Sequence, residues 1–299
     1  MSALDKDVVC VDGELIASRR VGAYQHLTFV APGIAELARP GHFVALSVGG
    51  PTSANLLRRC FSIHQVTPSG TYGGTVDVVV SAVGVGTEWV TGLRPHETTS
   101  IIGPLGRPFP LPTVDDPADA PACVLVGGGY GSAPLFWLAE RLRERGCHVE
   151  MVLGAATESR LFGVVDARRA ADGVTICTDD GSLGHRGWIS EVLPVVIRRS
   201  RAQVVYACGP MGMLQSVTEI AAAHGAVAQV AVEEAMACGV GVCMTCVMPV
   251  QGKDGQTRMV RSCVEGPVFR GDRVRWDAFS GGLCTVPDDA VGAAGMRAH

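Results

Sequence analysis

The chain has 299 residues, 47% hydrophobic and 18% charged, with 25 basic against 29 acidic side chains and a net charge of −4. That length suits two or three domains with a sizeable core, and the composition excludes a disordered chain. Without a basic block there is no clustered charge to meet a nucleic-acid backbone. No apolar run reaches the ~18 residues of a membrane span, and Met1 to Cys10 carries acids where a signal peptide would be apolar. The expectation is a cytoplasmic protein with reduced thiols, so its 11 cysteines are not read as a disulfide set.

Residues 8 to about 103 read as β. Val8 to Val21, Tyr24 to Val30, His42 to Val48, Phe61 to Val66 and Thr75 to Ala82 are β-branched and partly alternating. Pro-Gly, Gly-Gly or Ser-Gly separates them, and their close spacing predicts a small antiparallel barrel over 1–110. Pro110 to Pro121, with four prolines and three aspartates, reads as a linker. From Ala122 strand and helix alternate. Cys123 to Val126 is a buried-strand run, and Leu135, Leu138, Ala139 and Leu142 follow at helical spacing until Gly146. Strands at Val149–Leu153, Val174–Thr178 and Val204–Cys208 and a helix over Met213–His224 complete a doubly wound parallel α/β domain, 122–232. Residues 233–277 form a small cysteine-rich domain, and the Gly/Ala/Asp-rich tail, 278–299, is expected to fray.

Four cysteines crowd into that third unit. Cys238, Cys243, Cys246 and Cys263 have the spacing C-x4-C-x2-C…C, the pattern of plant-type [2Fe–2S] ferredoxins. Three thiolates must converge from one wrapped loop, and Gly239 and Gly241 let its backbone turn inward. Structural zinc favours two C-x2-C knuckles or a Cys/His mixture; here there is one knuckle and no histidine between Cys238 and Cys263. Buried free thiols would not need this spacing.

Other segments carry weaker signals. Gly127-Gly128-Gly129-Tyr130-Gly131-Ser132 joins a strand to a helix, a context that suits a dinucleotide pyrophosphate. Ser132 stands where a third glycine would be, and such a segment can be simply a turn. Cys208-Gly-Pro ends a later strand, where a lone cysteine is ordinarily core. Arg59-Cys60-Phe61-Ser62 opens a strand and could hold a phosphate by charge-assisted bonds, against the plainer reading of a solvated arginine. Gly84-Val-Gly86-Thr87 precedes a helix start expected at Glu88 and could bind phosphate or merely cap the helix.

Together these motifs resemble the ferredoxin–NADP reductase superfamily. With the cysteine module added, residues 10–277 look like the electron transfer subunits of class B (NAD-linked) dihydroorotate dehydrogenases. The most specific pieces are Gly103-Pro-Leu-Gly106, Gly127–Leu135, Thr178-Asp-Asp-Gly-Ser182, Cys208-Gly-Pro210, Met236-Ala-Cys238 and Cys263-Val-Glu-Gly-Pro267. The resemblance implies an FAD barrel, with Arg59 at the pyrophosphate, Cys60 and Phe61 within the motif, and Ser62 near the isoalloxazine. It implies that Val79, Val80 and Ser81 line the flavin and that Gly86 and Thr87 hold its phosphates. Gly127, Gly128, Gly129 and Gly131 would serve NAD, with Cys208 as a catalytic residue near the nicotinamide. Cys238, Cys243, Cys246 and Cys263 would ligate one [2Fe–2S] cluster. The family commonly has proline at the position of Cys60 and an aliphatic residue at that of Phe61.

The implied activity is an oxidoreductase relay in pyrimidine (UMP) biosynthesis, from the FMN of a catalytic subunit through the cluster and FAD to NAD+, in a heterotetramer of two plus two. FAD belongs between nicotinamide and cluster because it exchanges both electron pairs and single electrons. NAD against NADP stays open at this point, since Glu158 and Arg160 both follow the second α/β strand. Two other readings remain: the small subunit of an NADH-dependent ferredoxin–NADP reductase or related iron–sulfur flavoprotein, and a zinc-stabilised binding protein.

Overall fold

The computed structural model describes residues 8–50, 52–280 and 283–291. Residues 1–7, most of the stretch read as lacking a signal peptide, lie outside the described residues, as does the tail beyond 291. The first unit contains β1 (Val9–Val21), β2 (Tyr24–Val30), α1 (Ile34–Leu37), β3 (Phe43–Leu46), β4 (Arg59–Thr67), β5 (Thr75–Val80), α2 (Val85–Thr91) and β6 (Thr98–Leu105). Its strands close an antiparallel barrel in the order β1-β2-β5-β4-β3-β6. Alternation decides what fills it: Leu15, Leu27, Val44, Leu46, Ile63, Val78 and Ile101 point inward and are fully buried. β6 completes the barrel; no separate strand was expected there.

The second unit runs β7 (Cys123–Gly128), α3 (Ala133–Arg143), β8 (Val149–Ala155), α4 (Val164–Ala170), β9 (Gly173–Thr178), β10 (His185–Arg186), α5 (Ile189–Ser200), β11 (Val204–Cys208), α6 (Met211–Ala223) and β12 (Val227–Ala231). Helices α3 and α4 cover one face of the sheet and α5 and α6 the other. Covered on both sides, β7 is a continuous apolar run rather than an alternating one. Tyr206 of β11 anchors the linker, donating from its hydroxyl to the Pro110 carbonyl at 2.8 Å.

The cysteine-rich unit holds β13 (Val247–Gln251), β14 (Thr257–Arg261), α7 (Ser262–Glu265), β15 (Val268–Arg270), β16 (Phe279–Ser280) and β17 (Leu283–Cys284). β15 joins the larger sheet antiparallel to β12, giving the order β10-β9-β8-β7-β11-β12-β15. This unit also packs on the outside of the barrel. Phe43, Ala45 and Leu105, which alternate with the inward residues, bury against Cys246 and Cys263. For that reason every residue of β3 is buried. Arg107 N donates to Gly266 O at 2.6 Å, so the Gly103–Gly106 and Cys263–Pro267 motifs meet at this seam.

Two expectations are corrected. Helix α2 starts at Val85 rather than Glu88, so Gly86 and Thr87 form its first turn. The Thr87 hydroxyl accepts from Gly84 N at 3.1 Å and takes up an otherwise orphaned donor. Over its described residues, 278–280 and 283–291, the tail is held in place: β16 pairs antiparallel with β17, Val291 N donates to Thr257 O at 2.9 Å, and Arg275 pairs with Asp289 at 2.8 Å.

Candidate functional site

Three adjoining arrangements define the site. In the first, β13 and β14 pair with Val247 opposite Arg261, which brings Cys246 and Cys263 together at the open end of the hairpin although sixteen residues separate them. Ser262 N donates to Cys246 O at 2.9 Å, and the Arg261 guanidinium braces the loop through Gly241 O at 2.7 Å. The loop reverses through left-handed backbone at Gly239 (φ 70°), Gly241 (φ 82°) and Met244 (φ 60°). A Cβ on Gly241 would lie 2.4 Å from the Val264 side chain.

Cys246 and Cys263 pack together with Cys60 beside them, and the Cys238 sulfur in the adjoining loop accepts from Val242 N at 3.4 Å. Hydrogen bonds from Thr245 and Cys238 pull the exposed Cys243 thiol down to about 6, whereas burial pushes Cys263 up to about 12. Among the described residues no three His, Cys, Asp or Glu side chains are grouped to hold a single metal ion. Four cysteines at C-x4-C-x2-C…C spacing, with one C-x2-C knuckle and no histidine among them, fit a [2Fe–2S] cluster better than one structural zinc. Val240, Val242 and Met244 are exposed around Cys243.

The second arrangement lies on the other side of β4. The Arg59 guanidinium lies over the first turn of α2, so close that a Cβ on Gly86 would sit 2.6 Å from Arg59 Nε. A cation and bare helix N–H groups therefore face one space, the chemistry of a phosphate site. Thr87 is held within the turn by its own bonds to Val83 N and Gly84. Leu56, Leu57, Val83 and Val85 leave apolar surface exposed beside this cradle. Further along β4, Ser62 is exposed, as a residue meeting a bound ring must be. Val79 packs toward the α/β domain, Val80 points into the barrel, and Ser81 follows half-buried. Cys60 turns away from the cradle: a Cβ on Gly239 would be 2.9 Å from its sulfur. Strand β4 thus runs between the two arrangements.

The third is a cleft of about 570 Å³ at the carboxyl ends of β7, β8, β9 and β11, where open α/β sheets bind ligands. Tyr24, Tyr130 and Glu233 line its barrel side, Gly128 and Gly129 its floor, and Asp179 and Trp188 its far end. Ser132 replaces the third glycine at no cost to the turn. It is buried, donates to Gly129 O at 2.9 Å, and uses the space a Cβ on Gly127 would take. Gly131 supports the cleft from behind: its Cβ would come within 2.8 Å of Cys208 O and Gly209 Cα, both backbone. Gly131→Ala is expected to cost about 1–3 kcal/mol of stability and to raise the KM for NADH. Thermal unfolding and steady-state kinetics read the two effects.

The cleft departs from expectation at Cys208, which does not line it. The side chain is buried in the core that also holds Tyr24 and Tyr206, and burial drives its thiol far above its ordinary pKa. Glu233 lines the cleft wall, and loss of solvent pushes its carboxyl above the ordinary carboxylate value. Of the two residues after β8, Glu158 does not line the cleft and Arg160 does; Asp179, after the next strand, lines it as well. Tyr24, Trp188, Asp179 and Glu233 were missed as site residues. Only Asp179, inside the quoted Thr178–Ser182 motif, had a local signal.

A nucleotide cleft, a phosphate cradle on a barrel and a thiol-lined loop define a ferredoxin-reductase-like flavoprotein with an iron–sulfur module. A solved NADH-dependent reduced ferredoxin–NADP oxidoreductase superposes with a TM-score of 0.75 at 27% identity, over 89% of this chain and 91% of that one. A ferredoxin–NADP+ reductase from Neisseria gonorrhoeae shares the fold alone, with a TM-score of 0.55 at 15% identity, over 72% of this chain and 92% of that one. Residues 233–275 match the iron-sulfur cluster binding domain of dihydroorotate dehydrogenase B. Electron transfer subunits of dihydroorotate dehydrogenase B (NAD(+)) are 35% identical in Desulforamulus reducens, over 84% of this chain and 92% of that protein. In Geobacillus thermodenitrificans the figures are 38%, 83% and 91%. The chain belongs to the family of dihydroorotate dehydrogenase B electron transfer subunits.

Proposed function

We propose that this chain carries electrons from the FMN of a dihydroorotate-oxidising catalytic subunit, through a [2Fe–2S] cluster and FAD, to NAD+ in pyrimidine biosynthesis. The observation that carries the reading is the placement of the cysteine loop and the phosphate cradle on opposite sides of one strand, β4. The bound flavin would supply the exchange between a hydride and single electrons that nicotinamide and cluster cannot make directly.

Cys238 and Cys243 would hold one iron and Cys246 and Cys263 the other. Arg59 and the α2 turn with Gly86 and Thr87 would bind the FAD pyrophosphate, Ser62 would lie near the isoalloxazine with Phe61 in the same motif, and the backbone of Val79 to Ser81 would line the flavin. Cys60 belongs to the same strand but turns to the cysteine loop. Gly127, Gly128, Gly129 and Gly131 would shape the turn for the NAD pyrophosphate, leaving nicotinamide beside Tyr24 and adenosine beside Asp179 and Trp188. The exposed Cys243 edge, with its rim of Val240, Val242 and Met244, suits the docking of the catalytic subunit in a two-plus-two assembly. Eleven free cysteines favour a reducing, cytoplasmic setting; among the described residues no helix is long and apolar enough to cross a membrane.

The test is co-expression with a candidate catalytic subunit. NAD-dependent orotate formation by a co-purifying complex is expected; a complex that forms yet reduces ferredoxin instead would favour the ferredoxin–NADP reductase reading, which the structural likeness keeps in view. With adenosine beside it, the Asp179 carboxylate would repel a 2′-phosphate, so Asp179→Ser is expected to improve NADPH as a flavin reductant about tenfold, the size of one unfavourable charge contact of ~1.4 kcal/mol. Stopped-flow rates with NADH and NADPH check it.

A further inference from the structure

His64 lies two residues beyond Ser62 on β4, at a bulge. Pairing with β5 is regular from Thr67 opposite Thr75 back to Gln65 opposite Asp77, then shifts so that Ile63 faces Val78 and His64 is left between. A bulge re-aims the side chain it carries. Here the imidazole leaves the barrel and meets helix α3, where His64 Nδ1 lies 2.5 Å from the carbonyl of Ala133, the first residue of the helix after the glycine turn. The ring is wedged among Phe136 at 5.8 Å, Phe162 at 5.4 Å and His26 at 5.2 Å, all nearly edge-on. Because the acceptor is a carbonyl, Nδ1 carries the proton. Burial also holds the imidazole below its ordinary pKa and so neutral.

Two further bonds cross the same seam in the same direction. The Tyr24 hydroxyl donates to Arg160 O at 2.7 Å, and Ala23 N donates to Ser159 O at 3.2 Å. Phe162 links both side chains, with ring centres 6.2 Å from Tyr24 and 5.4 Å from His64. Barrel donors therefore grip backbone carbonyls on both sides of the nucleotide turn: Ala133 just after it, Ser159 and Arg160 beyond β8. Backbone acceptors fix main-chain position, not just a rotamer. We propose that His64 is a positioning residue that, with Tyr24, latches the nucleotide domain to the flavin strand and so fixes the nicotinamide-to-flavin approach. This rests on the function proposed above. Hydride transfer is steep in geometry, a 1 Å misplacement costing on the order of 10²-fold.

The test compares His64→Leu, which keeps bulk and apolar packing, with His64→Asn, whose side-chain amide can reach the place of Nδ1. In the purified holoprotein, His64→Leu is expected to keep wild-type FAD, iron and sulfide content and normal reduction by dithionite. Its limiting rate of flavin reduction at saturating NADH falls at least tenfold, while its KM for NADH changes less than threefold. His64→Asn recovers to within threefold of wild type. A wild-type limiting rate in His64→Leu, or equal losses in both variants, overturns the latch and leaves the function standing. Wild-type FAD that NADH cannot reduce overturns both. Should His64→Leu not accumulate, Tyr24→Phe removes the companion bond and keeps the ring; its limiting rate is expected to fall at least threefold, and an unchanged rate overturns the proposal.

Discussion

Replacing Cys263 by serine abolishes electron exchange with the partner subunit while leaving reduction of the flavin by NADH intact. Cys263 is buried and packs against Cys246, so bulk solvent does not readily supply a donor in its place. A serine hydroxyl ionises far less readily than a thiol and is a poor ligand for soft iron–sulfur centres. The loss should exceed the ~10–100-fold that altering an outer-shell partner of a metal ligand costs. Three measurements define the result: iron and acid-labile sulfide per chain, the spin-resonance signal after dithionite, and orotate formation with the partner. Diaphorase activity with a dye that takes electrons from flavin should persist, because the Arg59 cradle and the nucleotide cleft do not use Cys263. A variant with a full resonance signal and normal orotate formation refutes the ligand assignment.

Arg59→Ala is expected to strip FAD. The guanidinium is held by Leu57 O at 2.8 Å and lies over Gly86, already placed before any phosphate arrives. Removing a hydrogen bond to a charged group costs about 1.5–3 kcal/mol, or roughly ten- to a hundredfold in affinity. The purified variant should be pale, regain flavin only at raised FAD concentration, and keep its cluster signal. Gly86→Ala is a companion from the other side of the cradle: its methyl would displace the guanidinium and so weaken FAD without removing the charge. If both variants retain stoichiometric FAD through dialysis, the cradle is not the flavin's phosphate site.

The two predictions separate because the thiol loop and the cradle occupy opposite sides of β4. That separation was not readable from residue order. Adjacent residues of a strand point to opposite sides, yet which side holds which group depends on what packs there. Cys60, one residue from Arg59, was grouped with the flavin motif, but it turns toward Gly239 because the cysteine module covers the outer barrel face. Local signals of other kinds were also misleading. Pro194 inside α5 hid a helix whose Ile189, Leu193, Val196 and Ile197 form its buried stripe. Gly86 made the first turn of α2 resemble a loop. The tail's composition resembled a frayed end, but Arg275, just before it, and Thr257, far from it in sequence, hold its described residues as far as Val291.

The sequence by itself determined the cysteine spacing, the Arg59–Ser62 strand, the glycine turn before α3, and therefore the three-part architecture and cofactor set. Each is a short-range pattern in which backbone freedom, charge or donor type is specified within a few residues. The tertiary fold settled that Cys246 and Cys263 pack together, that Cys208 lies in the core while Glu233 and Asp179 face the cleft, and that His64 reaches Ala133. Those are contacts between segments far apart in the chain. They are fixed by strand register, by a bulge and by which faces bury against each other, and no window of neighbouring residues encodes them.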